Sequence, residues 1–281
     1  MSFHPDDAAA GCAQRVRTYD PDRFVTVLAA PAERRPALLA LYAFHTEVAR
    51  TRESVSEPML GLIRLQWWRE ALDGLYAGTP RQHDVVQAMA ASGALATWPR
   101  PLFDACIEAR GDDLEDTVPA DLPALEAYAR ATGGAVQRLA MLLFSDDEGL
   151  AAAAESVGTA WALVGLLRAL PFHARWRKVF MPADLLHRHG LEAEDVIRAR
   201  HSPAMASALS EVAARARALL AEARSVDASR GQLAPLLLAP LAERYLYRLE
   251  AAAFDSFSAP IELGPLERPS AMLFARLRGR I

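Results

Sequence analysis

The chain has 281 residues, of which 52% are apolar, and a formal net charge of −4. That is enough apolar material for a sizeable core, and the acidic balance argues against general nucleic-acid binding, which needs a basic surface. Its two cysteines, Cys12 and Cys106, stand in no CxxC or CxxH pattern, which excludes a zinc-ribbon site or a disulfide framework and fits a reducing compartment.

Ala and Leu dominate while β-branched runs are scarce, so helix is favoured throughout. Met1 to Asp7 is acidic and lacks an apolar stretch, so neither a secretory signal nor a transit peptide is expected there. Residues 1 to about 30 read as irregular, with one short turn near Phe24 to Leu28. Pro31 and Glu33 open a first long helix that runs to about Ser54, with Leu38, Leu39, Tyr42 and Phe44 on its apolar face. Pro58 opens the next, in which Leu60, Ile63, Trp67, Ala71 and Leu75 form one stripe before Gly78-Thr79-Pro80 stops it. Helices over about 82–97 and 100–111 follow, then a solvated acidic loop, Asp112 to Asp116.

The spacing predicts a helix over about 122–144, interrupted softly by Gly133-Gly134, a pair that implies close packing or a kink. Asp146 and Asp147 cap a helix over about 148–170 that is apolar almost all round and so belongs at the centre. Its longest uncharged apolar run, about Ser156 to Leu167, is shorter than the roughly 20 residues a bilayer requires, and a soluble protein is expected. Pro171 ends or kinks that helix, and Phe172 to Pro182 reads as a basic loop with His173, Arg175, Arg177 and Lys178, the chain's only lysine. Short helices near 182–189 and 192–200 lead to longer ones over about 203–228, 235–254 and 268–278, the last ending in Arg276, Arg278 and Arg280. No strand alternation, fixed-period repeat or low-complexity linker appears, so the fold class is all-α: one domain over residues 1–281, with 1–21 irregular.

Four anchors now stand in order: Leu41-Tyr42-Ala43-Phe44, Trp68-Arg69-Glu70-Ala71-Leu72, Leu166-Leu167-Arg168, and Phe180-Met181-Pro182 before Asp184-Leu185. Together they resemble the squalene/phytoene synthase family of head-to-head prenyl transferases, from about residue 22 to the C-terminus. The resemblance implies an isoprenoid-synthase-like helical bundle around a central cavity. It also implies two aspartate-rich motifs, each with carboxylates four apart on one helix face, which hold Mg²⁺ against a substrate diphosphate. On that pattern Ala49, Arg50 and Glu53 fall at the first motif's aspartates and Ala169 and His173 at the second's, while the family's nearby amides fall on Ala162 and Gly165. Only Glu53 keeps a carboxylate, so no catalytic set, metal site or cofactor is expected.

The family's cations do better. Arg168 matches its arginine before the second motif, Arg175, Arg177 and Lys178 lie in its diphosphate-clamping region, and His45 lies on the first motif's helix, so these five are candidates for binding an anion or a lipid; the bland alternative is surface snorkelling and ion pairing. Thr51 to Pro58, Gly61 to Trp68 and His173 to Pro182 are similar to one branch, the complex I assembly factors with a squalene/phytoene synthase-like domain and their bacterial relatives. That resemblance implies a non-catalytic protein partnered with complex I subunits or assembly intermediates, cytoplasmic or peripheral to the inner membrane, with a lipid in the former substrate cavity. Two other readings stay open: an active prenyl transferase using Mg²⁺, which gains if Glu47, Asp112 or Asp113 lines the cavity, and a membrane-surface protein whose C-terminal arginines meet anionic headgroups. His187, His189 and His201 read as surface histidines, Trp67 and Trp68 as core, and Glu53 with Glu57 as no carboxylate pair, because Pro58 ends the helix between them.

Overall fold

The computed structural model describes residues 5–264 and 266–278, and the side chains of Arg276 and Arg278, like Arg280 altogether, lie outside what it describes. Among the described residues the fold is all-α, with fifteen α-helices and no strand.

The N-terminus corrects the sequence reading. Residues 1–21, expected to be irregular, instead contain α1 (Pro5–Tyr19), and α2 (Pro21–Leu28) follows at once. Ala8, Cys12 and Val16 sit four apart on α1 and are fully buried, but this stripe of small residues is too narrow to stand out in the sequence. The Asp20 carboxylate caps α2 by accepting the Arg23 amide at 3.1 Å.

After a 3₁₀ turn at Ala32–Arg34, α3 spans Arg35–Ala49, shorter than the sequence suggests, and a second 3₁₀ turn covers Arg52–Ser54. Helices α4 (Pro58–Tyr76), α5 (Asp84–Ala91) and α6 (Arg100–Ala109) complete the first half. Here Phe44 of α3 meets Trp68 and Phe103 edge-on, both at 5.1 Å between ring centroids. Trp68 is core, whereas Trp67 is only half-buried and carries Arg81 over its ring.

The helix expected over 122–144 is continuous but changes pitch: α7 (Leu122–Ala129), a π-turn at Arg130–Gly134, then α8 (Ala135–Leu142). The glycine pair explains itself here. A Cβ on Gly133 would stand 2.5 Å from the Gly158 carbonyl oxygen of α9 (Glu148–Arg168), and a Cβ on Gly158 would strike the Gly133 carbonyl in return. Two backbones touch, which only glycine permits.

Helix α9 packs on α7, α8, α13 (Pro203–Ala223) and α14 (Leu238–Ala251), the central position expected of it. It is long and apolar enough to cross a bilayer by length and composition, contrary to the reading from its uncharged run, yet 67% of its most apolar window is buried inside the protein. It ends at Arg168, and Pro171 sits in the first turn of α10 (Leu170–Arg175), so part of the expected basic loop is helical. Helices α11 (Ala183–Arg188), α12 (Ala193–Ile197) and α15 (Glu267–Arg278) complete the set. The apolar core falls into two clusters, one around α3, α5 and α6 and one around α9, α13 and α14, and Phe144 packs against both.

Candidate functional site

A chain of polar groups lies buried where these clusters meet. From α3 come Tyr42 and His45, three residues apart and so on one side of the helix. Gln137 of α8 donates to the Tyr42 hydroxyl at 3.2 Å and also to the Pro235 carbonyl. Arg23 of α2 places its guanidinium 5.5 Å from the centre of the Tyr42 ring and donates from Nη1 to Asp20 at 2.7 Å. Farther along, Arg110 donates to Asp113 at 3.0 Å and to the Tyr128 hydroxyl at 2.8 Å, and that hydroxyl donates to the other Asp113 oxygen at 2.6 Å. Phe180 then lies between the rings of Tyr128 (5.2 Å) and His173 (4.7 Å).

This interior keeps its histidines neutral. Burial, with the charges of Arg23 and Arg110 nearby, lowers the His45 pKa well below its usual value. His173 is pushed down to about 4, by burial first, with Asp113 opposing and Arg110 and Lys178 adding to the shift. Tyr42 is pushed up to about 12, chiefly by burial.

The positions aligned with metal-binding motifs are otherwise engaged. Arg50 donates from Nε to Glu53 at 3.0 Å and lies 3.7 Å from the centre of the Tyr19 ring. Ala49 ends α3, Ala169 joins α9 to α10, and His173 lies on α10. Arg52, with its guanidinium 4.8 Å from the Trp176 ring, links the first-motif segment to the second. One carboxylate already paired with an arginine, one neutral imidazole and two alanines do not fit Mg²⁺, which takes hard oxygen ligands in octahedral geometry. The other acids do not replace them: Asp113 is engaged by Arg110 and Tyr128, Asp112 is exposed, and Glu47 points away into a cluster with Arg15 (3.0 Å), Arg64 (3.1 Å) and His83 (3.6 Å). Among the described residues no three His, Cys, Asp or Glu side chains converge as a metal site would require.

Of the five cations and histidines expected to bind an anion or lipid, His45 alone lies in the buried chain with no hydrogen bond. Arg168 donates to the Ile261 carbonyl at 3.0 Å and stacks 3.5 Å over Tyr245. Arg175 is exposed, and Arg177, with a left-handed φ of 55°, points outward to Glu194 at 3.3 Å. Lys178, expected among the anion-binding cations, instead donates to three backbone carbonyls, those of Asp112 (2.6 Å), Glu115 (2.7 Å) and Thr117 (2.9 Å). His187 and His201 are exposed and His189 pairs with Glu211 at 2.7 Å, as surface histidines do. The interior arginines Arg23 and Arg110 escaped the sequence reading. The one signal for either was an acid three residues away, Asp20 before Arg23 and Asp113 after Arg110, and that spacing is common on exposed helices.

An all-α bundle with two facing motif segments and a polar interior defines the class of isoprenoid-synthase-like folds. A dehydrosqualene synthase crystal structure superimposes with a TM-score of 0.87, covering 98% of this chain and 97% of that one at 14% identity. The chain belongs to the squalene/phytoene synthase family, whose model matches residues 16–269. Among its relatives, the Bos taurus protein named NADH dehydrogenase (ubiquinone) complex I, assembly factor 6 is 31% identical over 258 residues, 89% of this chain and 76% of that protein. The presqualene diphosphate synthase of Rhodopseudomonas palustris is 26% identical over 251 residues, 86% of this chain and 88% of that enzyme.

Proposed function

We propose that this chain acts in assembly of the respiratory NADH:quinone oxidoreductase, as a binding protein and not as a prenyl transferase. The observation that carries the reading is the identity, over most of both chains, to a protein named as a complex I assembly factor. The Arg50–Glu53 ion pair supports the non-catalytic half of it, because it neutralises the one carboxylate kept at the motif positions. On this reading the partners are complex I subunits or assembly intermediates, the protein works in the cytoplasm or at the inner membrane surface, and the interior holds a lipid where the family's enzymes hold substrate.

Deletion in the source organism is the test. Membranes from the deletion strain are expected to lose NADH:quinone activity and assembled complex on native gels. Both should return with the wild-type gene and equally with Glu53→Gln, which no metal-dependent mechanism through Glu53 would tolerate. Normal activity in the deletion strain would refute the assembly role. Release of diphosphate from farnesyl diphosphate with Mg²⁺ by the purified protein would instead favour the second reading, an active prenyl transferase, for which the similarity to the Rhodopseudomonas palustris enzyme speaks.

A further inference from the structure

Arg23 is 2% exposed, yet its Nε and Nη2 have no hydrogen-bond partner, and only Nη1 is engaged, by Asp20. Nε and Nη2 form one edge of the guanidinium, two parallel N–H donors set at the spacing of two oxygens of a carboxylate or phosphate. Two donors of one buried cation left without acceptors are rare in folded proteins, because water has been lost and nothing replaces it. Among the neighbouring groups the Gln137 amide oxygen is an acceptor that is also buried without a partner, on an amide whose Nε2 donates to Tyr42 and to the Pro235 carbonyl. Arg110 Nε is buried without a partner, and so is His45 Nδ1. The two nearby carboxylates are taken: Asp20 accepts the Arg23 amide and Nη1, and Asp113 accepts from Arg110 and Tyr128. Leu38, Leu41, Phe44 and Val136, which share an apolar cluster with Tyr42, are fully buried.

We propose that the Nε–Nη2 edge of Arg23, flanked by His45 and Arg110, holds the anionic head of an amphiphile, a carboxylate or phosphate on an apolar chain, without a metal ion. This rests on the lipid-holding reading of the interior and names the chemistry of the lipid's head and the residue that grips it.

The test uses the full-length protein in EDTA, titrated calorimetrically with laurate, dodecyl phosphate and dodecanol below their micellar concentrations. At least one of the two anions should bind one to one, at least tenfold tighter than dodecanol; laurate alone assigns a carboxylate head, dodecyl phosphate alone a phosphate. Arg23→Gln should weaken that anion at least tenfold and leave dodecanol unchanged. Arg23→Lys keeps the charge but not the two-donor edge and should fall between, so it carries the test if the Gln variant does not fold. Arg177→Gln, at the exposed pair with Glu194, should bind like wild type. Equal affinity for dodecanol, wild-type affinity in Arg23→Gln, or binding that appears only with Mg²⁺ would each overturn the proposal. Loss of complex assembly in the deletion strain, with no anion bound by the purified protein, would overturn this proposal alone and leave the assembly role standing.

Discussion

Lys178→Arg conserves charge in a chain whose other strong cations are all arginines, and it should still be strongly destabilising. The Lys178 ammonium, 8% exposed, points three tetrahedral N–H bonds at three carbonyls of the 112–117 loop. A planar guanidinium two atoms bulkier cannot converge on three oxygens in this way. Hydrogen bonds from a charged donor contribute about 1.5–3 kcal/mol each. The loop lies at the surface, so its carbonyls can recover water, and burial itself lowers the lysine pKa by desolvation against the pull of Asp113 and Asp112. Discounting for both, the substitution should cost about 3 kcal/mol. With an unfolding entropy of roughly 2.1 cal/mol/K per residue, that lowers Tm by about 5 °C. Urea unfolding followed by circular dichroism measures it, and Lys178→Met should cost a similar amount. A second readout needs no variant: an amine-specific reagent should label Lys178, the only lysine, far more slowly in the folded protein than after urea unfolding. A loss under about 0.5 kcal/mol, on the scale of ordinary surface substitutions, together with rapid labelling of Lys178, would refute the tripod argument.

Three further outcomes are expected. Gly158→Ala should destabilise by about 3 kcal/mol or leave the protein insoluble, since its methyl would strike the Gly133 carbonyl and lie 2.6 Å from Gln137 Cβ, while Gly165→Ala on the same helix, with open space around it, should be neutral or slightly stabilising in the same urea titration. Glu47→Gln should cost roughly 2–3 kcal/mol by urea unfolding, less than the roughly 3–5 kcal/mol for breaking a fully buried pair because Arg15 and Arg64 are themselves partly exposed; an unchanged midpoint would count against the cluster. Stability should be intact above pH 6.5 and fall as the pH drops from there toward 4, because the unfolded chain takes up protons on histidine that the fold refuses at His45 and His173. The slope is about 1.4 kcal/mol per pH unit for each histidine, and His173→Asn should remove one share of it in unfolding curves between pH 4 and 7.

Most of the helices were legible because their apolar residues recur at three- and four-residue spacing and because proline and glycine mark their ends. The fold family was legible from four short anchors whose order matters more than any one of them. What stayed hidden has two physical sources. Helix α1 buries Ala8 and Cys12, residues too small to register as an apolar face, and gains its place from neighbouring helices and not from its own pattern. In the site, a basic residue in the sequence carries no sign of direction. Arg175 and Arg177 lie in the segment where a cationic clamp was expected, yet they face solvent, while Arg23 and Arg110 lie outside the motifs and point inward.

Helix α3 shows why the lost motif is not simply displaced by a residue or two. Its one carboxylate is Glu47. Successive residues advance by about 100° around a helix, so Glu47 stands about 200° from both His45 and Ala49. It cannot serve the interior face on which a first-motif acid would lie, and the rest of the fold makes use of this: Arg15 of α1 and Arg64 of α4 close on Glu47 from the other side. The interior face of α3 is left with an alanine and an imidazole held neutral by burial and by two arginines. The resemblance to the squalene/phytoene synthase family implies carboxylates on this inward face, with metal ions held between them. Here that helix's carboxylate faces outward in a structural ion cluster, Asp20 and Asp113 inside are already engaged, and the charged donors left without partners belong to Arg23 and Arg110, a polarity that suits an anion directly.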